Sequence, residues 1–153
     1  MTEQSRAESM RSTPEPPTNR PDLSHITALV VDSDPASVHL LEACLQPFGA
    51  RVLSAGSTSQ AKQMIASNIP EVVICDLALP DHDGLEFIRW LRARRPEHGG
   101  IIPAIAVTFL YERFGVRETR AAGFDVYVRK PIDPMTIVQA VSLLVGRRDS
   151  THP

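Results

Sequence analysis

Val72-Val73-Ile74-Cys75-Asp76-Leu77-Ala78-Leu79-Pro80-Asp81-His82-Asp83-Gly84 decides the fold. Its first four residues are apolar without alternation, as in a strand covered on both faces. The run then stops at a carboxylate. Asp83-Gly84 opens a helix whose Leu85, Ile88 and Leu91 fall on one stripe. A buried strand, an acidic turn and an amphipathic helix form a strand-then-helix unit.

The unit repeats in both directions. Upstream, Ile26 to Val31 is a nearly continuous apolar strand, and Pro35 stands at a helix start, where its missing N–H costs nothing. Val38, Leu41, Leu45 and Phe48 follow on one helical face, closed by Pro47 and Gly49. Arg51 to Ser54 is a short strand, and Thr58 to Ser67 a helix with Ala61, Met64 and Ile65 inward. Downstream, Pro103 to Val107 and Phe124 to Val128 are strands, with a weakly amphipathic helix expected over Tyr111 to Ala122. Asp133-Pro134 caps a last helix that points Ile137, Val141 and Leu144 at the core. Five strands alternating with five helices imply an α/β fold, a doubly wound five-stranded parallel sheet with helices on both faces.

The flanks read differently. Residues 1–24 carry Pro14, Pro16, Pro17 and Pro21 among Ser, Thr and Glu, a composition expected to form a flexible tail. No apolar run of signal-peptide length follows the early charges. Residues 148–153 are expected to fray, which leaves 25–147 as one domain. Eighteen acidic and sixteen basic residues give a net charge of −2, which announces neither a nucleic-acid nor a membrane partner. Arg89, Arg92, Arg94 and Arg95 read as a solvated helix face. Cys44 and Cys75 read as small buried thiols of a reducing, cytoplasmic compartment, and the histidines show no metal-ligand spacing. Only Lys62 and Lys130 of the basic residues are lysines.

In an open α/β sheet, ligands gather outside the carboxyl ends of the strands. Those ends carry Asp32, Ser33 and Asp34 after the first strand, Asp76 after the third, Thr108 after the fourth, and Lys130-Pro131 after the fifth. Clustered acids repel unless a hard cation joins them, and Mg²⁺ takes one or two carboxylates plus waters. A phosphoryl group brought to a carboxylate needs its charge neutralised by such a metal and a lysine, while a hydroxyl binds one of its oxygens. The set therefore fits an aspartate that accepts a phosphoryl group. Asp34, next to Pro35, serves equally well as a helix cap.

Leu29-Val30-Val31-Asp32, the stretch from Ile74 to Gly84, Ala106-Val107-Thr108 and Tyr127-Val128-Arg129-Lys130-Pro131 resemble the receiver domains of bacterial two-component response regulators. The resemblance spans residues 26–146, and it is specific: Pro80 and Gly84 follow Asp76 at +4 and +8, and Thr108 precedes Lys130 by 22 residues. It implies the flavodoxin-like receiver fold, Asp76 as phosphoacceptor, Asp32 in the acidic pocket and Lys130 as the phosphate-contacting lysine. Thr108 and Tyr127 match the switch hydroxyl and the switch aromatic, and the Lys130-Pro131 bond matches one that is cis in this family. It further implies a signalling switch rather than an enzyme. A sensor histidine kinase or histidine phosphotransfer protein would supply the phosphoryl group, and a separate output protein would read the result.

Two departures qualify the match. The family's second acid after strand one is replaced by Ser33, so Mg²⁺ is expected to bind weakly, held by Asp32, Asp76 and conditionally Asp34. Phe109 follows Thr108 where the family keeps a small residue; it either narrows access to Asp76 or packs on the neighbouring helix. Ala78 and Leu110 are apolar and cannot orient a hydrolytic water, so slow loss of phosphate is expected. Two other functions fit part of this pattern. One is a receiver that docks partners without phosphorylation. The other is a haloacid-dehalogenase-type hydrolase using Asp32-Ser33-Asp34, against which Pro35 and the absent late acid pair count.

Overall fold

The computed structural model describes residues 20–150. Five strands, β1 (Thr27–Val31), β2 (Arg51–Ala55), β3 (Val72–Asp76), β4 (Ala104–Thr108) and β5 (Val126–Arg129), alternate with five α-helices. These are α1 (Pro35–Leu45), α2 (Thr58–Ser67), α3 (Gly84–Arg92), α4 (Val116–Ala122) and α5 (Pro134–Ser150). The strands form one parallel sheet in the order β2-β1-β3-β4-β5. The doubly wound α/β expectation is met.

Strand residues alternate between two cores, as the two-residue period of a strand requires. Ala28, Val30, Val72, Ile74, Ile105 and Val107 face α1 and α5, where Leu41, Ile137 and Val141 are fully buried. Leu29, Val31, Val73, Cys75, Ala104 and Ala106 face the opposite layer with Ala61, Ile65, Phe87, Ile88 and Leu91. Burying a side chain such as Phe87 completely contributes about 1.5–3 kcal/mol. Both thiols are buried, as expected.

Three boundaries moved. The helix expected over Tyr111–Ala122 starts only at Val116, and the preceding residues form turns. Gly115 takes an extended conformation at the N-cap, and the Phe114 N–H donates to the Leu110 carbonyl, closing a separate turn. Phe114 thereby enters the core at 3% exposure instead of lying on a helix. At the amino end, the expected tail falls mostly on residues 1–19, outside those described, but Leu23 is buried and its N–H donates 2.8 Å to the Phe48 carbonyl. Packed chain therefore begins before residue 25. At the carboxyl end, α5 continues to Ser150, and the remainder of the expected frayed end, residues 151–153, lies outside the described residues.

Arg92 also departs from the solvated helix face expected for its cluster. Its guanidinium donates to the carbonyls of Gly123, Gly100 and Ile102 and to Asp125, pinning α3 to the loops before β4 and β5. Arg94 and Lys62 instead lie over Trp90, 4.7 and 5.3 Å from its ring centroid.

Candidate functional site

Parallel strands end on the same side, so the last residues of β1, β3, β4 and β5 share one edge of the sheet. Asp76 and Thr108 are the terminal residues of β3 and β4, and Asp32 and Lys130 follow β1 and β5 directly. The structure joins three of these four through one ammonium. Lys130 Nζ donates to Asp32 Oδ2 at 2.8 Å and reaches Asp76 Oδ2 at 3.4 Å. It also donates to Ser37 Oγ at 3.3 Å.

The two carboxylates are not equivalent. The Asp32 side chain is 1% exposed and that of Asp76 13%, so Asp76 is the one a reactant can meet. Asp32 Oδ1 accepts from the Asp34 N–H at 2.9 Å, and Asp76 Oδ1 from the Ala78 N–H at 3.1 Å. These bonds fix both carboxylates, and among the described residues Asp76 Oδ2 is shared only with Lys130. Burial raises the Asp76 carboxyl above its ordinary value; the Ala78 N–H and Lys130 pull it back, and Asp32 pushes it up again. A nucleophilic hydrolase aspartate at position 32 fits poorly, because Asp32 is enclosed and already committed to Lys130.

Asp34 is not drawn into this pair. Its side chain accepts from the Ala36 N–H at 3.0 Å and from Ser37 Oγ at 3.2 Å, capping α1. Among the described residues no group of three or more His, Cys, Asp or Glu is arranged to hold a metal ion. Ser33 is exposed and lines two open clefts, of about 550 Å³ with Ala78 to Glu86 and of about 330 Å³ with Asp32 and Pro35.

Thr108 is fully buried, and its Oγ1 accepts from the Leu110 N–H at 2.9 Å. Tyr127 donates from its hydroxyl to the Phe114 carbonyl at 2.6 Å. Thr108 and Tyr127 thus grip opposite ends of the turn segment from Phe109 to Gly115. The Lys130-Pro131 bond is cis. Phe109 is 60% exposed, with its ring centroid 5.5 Å from Lys130 Nζ.

Three site residues escaped the sequence reading. Ser37 bridges Asp34 and Lys130, and the Asp-x-x-Ser spacing that signals a capped first turn was visible. Tyr111 donates its hydroxyl to the Lys130 carbonyl, with the Arg129 guanidinium over its ring. Asp81 accepts from the backbone N–H and hydroxyl groups of both Thr58 and Ser59, at 2.8–3.0 Å, tying the loop after Asp76 to the start of α2. Loss of some hydration acts to raise the Asp81 carboxyl, but these N–H and hydroxyl donors with the His82 N–H outweigh it and hold the group well below its ordinary range. His82 itself pairs with Glu86 at 2.9 Å on the surface. Cys75 is fully buried, and that burial, followed by the charge of Asp76, keeps its thiol protonated far above the ordinary range.

Comparison with known proteins points to one family. The family model described as the response regulator receiver domain matches residues 28–142. The chain is 33% identical over 119 residues to an uncharacterized 14.6 kDa protein in the sodA1 3' region of Leptolyngbya boryana, covering 78% of this chain and 89% of that one. It is 33% identical over 123 residues to the KDP operon transcriptional regulatory protein KdpE of Escherichia coli K12, covering 80% of this chain and 52% of the relative. The chain spans about half the length of the transcriptional regulators it matches. Among solved structures, a putative response regulator from Chloroflexus aurantiacus superposes with a TM-score of 0.74 at 30% identity, covering 80% of this chain and 98% of that one.

Proposed function

The chain belongs to the response regulator receiver family, a family of phosphorylation switches rather than classical enzymes, and from that premise we propose that Asp76 is its phosphoacceptor. The single observation that supports this most is the Lys130 ammonium bridging Asp32 and Asp76 at the strand ends, with the more open carboxylate belonging to Asp76. A carboxylate oxygen held by one shared cation is a nucleophile whose charge is balanced in the resting site. That cation is already in place to meet an incoming phosphoryl oxygen.

The donor is a phosphohistidine on a sensor kinase or phosphotransfer protein in the cytoplasm. An Asp76 oxygen attacks phosphorus, the P–N bond breaks, and the imidazole keeps its electron pair. Asp32 and Asp76 supply hard oxygen donors of the kind Mg²⁺ uses. Mg²⁺ held by these two carboxylates would supply charge neutralisation for the transferring group. Ser33 adds a hydroxyl where a third carboxylate would strengthen that site, and Asp34 is occupied at the α1 cap.

Signal transmission follows from the hydrogen bonds of Thr108. Its oxygen accepts from Leu110, so its own proton remains available to a phosphoryl oxygen on Asp76. Moving Thr108 toward that group pulls Leu110 and the turn segment behind it, whose far end Tyr127 holds at Phe114. The added charge therefore resets a two-state surface around β5, α4 and α5, which a separate output partner reads.

Amide spectra of the isotope-labelled chain, recorded with Mg²⁺ before and after addition of acetyl phosphate, test this. Shifts are expected at Thr108, Leu110, Phe114, Tyr127 and Lys130 in the wild-type chain and not in Asp76→Asn. Identical spectra with and without donor would support phosphorylation-independent docking instead.

A further inference from the structure

An aromatic ring held in water beside a reactive centre needs a reason, because exposing it forgoes the burial that usually recompenses a large apolar side chain. Phe109 is such a ring. It is 60% exposed, while the residue before it, Thr108, is fully buried and Lys130, whose ammonium lies 5.5 Å from the ring centroid, is 4% exposed. That ammonium is in turn 3.4 Å from Asp76 Oδ2. The ring is therefore solvent-exposed and lies beside the ammonium that contacts Asp76.

Resting on the assignment of Asp76 as acceptor, we propose that Phe109 is a specificity-determining residue that favours phosphoryl groups carried on imidazole, by stacking against the donor ring. Transfer requires the Asp76 oxygen and the phosphorus to approach to about 3–3.5 Å. On this proposal the imidazole, one bond beyond phosphorus, would come within the roughly 4.5–7 Å of the Phe109 ring at which aromatic rings pair. The reacting donor is protonated on its second nitrogen. As the Asp76 O–P bond forms and the P–N bond breaks, the pair returns to nitrogen and neutral imidazole leaves, with no further proton needed. Before that step the ring carries positive charge, and an exposed phenyl face attracts it. Acetyl phosphate has no ring and no positive charge, so it gains nothing from Phe109.

The test compares two small donors, phosphoimidazole and acetyl phosphate, with the full chain and Mg²⁺, following phosphoryl uptake by intact mass. Phe109→Leu keeps an apolar side chain at an exposed position and removes only the π face; Phe109→Tyr keeps the face. Uptake from phosphoimidazole is expected to fall roughly three- to tenfold in Phe109→Leu, with acetyl phosphate uptake within about twofold of wild type and Phe109→Tyr close to wild type for both. Equal changes with both donors would mean that the ring acts only through Lys130 or as a steric screen, and would overturn the proposal while leaving Asp76 as acceptor. Phe109→Leu behaving as wild type with both donors would overturn it in the same way. No uptake from either donor by the unsubstituted chain would overturn the acceptor assignment itself, and this proposal with it.

Discussion

Replacing Lys130 with Met removes the ammonium that two carboxylates share and leaves a side chain of similar length in its place. Breaking a buried pair by deleting one partner costs about 3–5 kcal/mol, because the other charge stays behind uncompensated. Here Asp32 is nearly inaccessible, whereas Asp76 keeps some contact with water and is partly relieved. We therefore expect a loss of about 3 kcal/mol near pH 7.5, at the lower end of that range. Urea denaturation with a chelator present, followed by the fluorescence of the single tryptophan, Trp90, measures it. The loss has a defined pH dependence. Burial already raises the Asp76 carboxyl, and the variant loses the lowering influence of Lys130. A carboxyl raised in the folded state makes the fold bind more protons than the unfolded chain, so the deficit grows as pH rises through and above the ordinary value of 3.8 and shrinks in acid. In Asp32→Asn/Lys130→Met, most of the lost stability returns, since the enclosed charge is gone. A deficit below about 1 kcal/mol, within the range of exposed ion pairs, or one independent of pH, would refute the reasoning.

Asp81→Ala removes the side chain that caps α2 from the loop after Asp76, and is expected to cost about 1 kcal/mol near neutral pH. Because the Asp81 carboxyl is held below its ordinary 3.8, its contribution is present above that value and disappears as pH falls beneath it, so wild type and variant should converge in acid denaturation. Gly123 has φ +132°, and an added Cβ would lie 2.7 Å from Arg92 Cγ; Gly123→Ala should therefore lose about 1–3 kcal/mol in thermal or urea unfolding. Ser33→Asp restores a third acid at the site and should strengthen Mg²⁺ binding several-fold by calorimetric titration; unchanged affinity would show that the serine is not what limits the metal.

The alternation of apolar strands and amphipathic helices was legible because the central strands bury both faces: no polar residue interrupts Val72 to Cys75, and α5 carries Ile137, Val141 and Leu144 on one stripe. The strand-end carboxylates were legible for the same reason, since a parallel sheet delivers every strand terminus to one edge. Long-range bonds were not. Asp81 reaches back 23 residues to Thr58, and nothing local distinguishes a loop aspartate that caps another helix from one that faces water. Arg92 shares its helix with the exposed Arg89, and only the arrival of the Gly100 and Gly123 carbonyls converts its charge into a tether. Periodicity misjudged Tyr111 to Phe114 because aromatic spacing there serves a turn, with Tyr111 anchored at Lys130 and Phe114 in the core. The choice between cap and metal ligand for Asp34 depended on where the Ala36 N–H and Ser37 hydroxyl point, which residue order leaves open.

The most direct test is the intact mass of the chain after incubation with Mg²⁺ and acetyl phosphate, alongside Asp76→Asn and Asp32→Asn. The account predicts the addition of one phosphoryl group to the wild-type chain and none to Asp76→Asn. Slow loss after the donor is removed should follow, since Ala78 and Leu110 offer a water nothing to bind. A phosphoryl group that persists in Asp76→Asn but vanishes in Asp32→Asn, or no addition to any of the three, would contradict it.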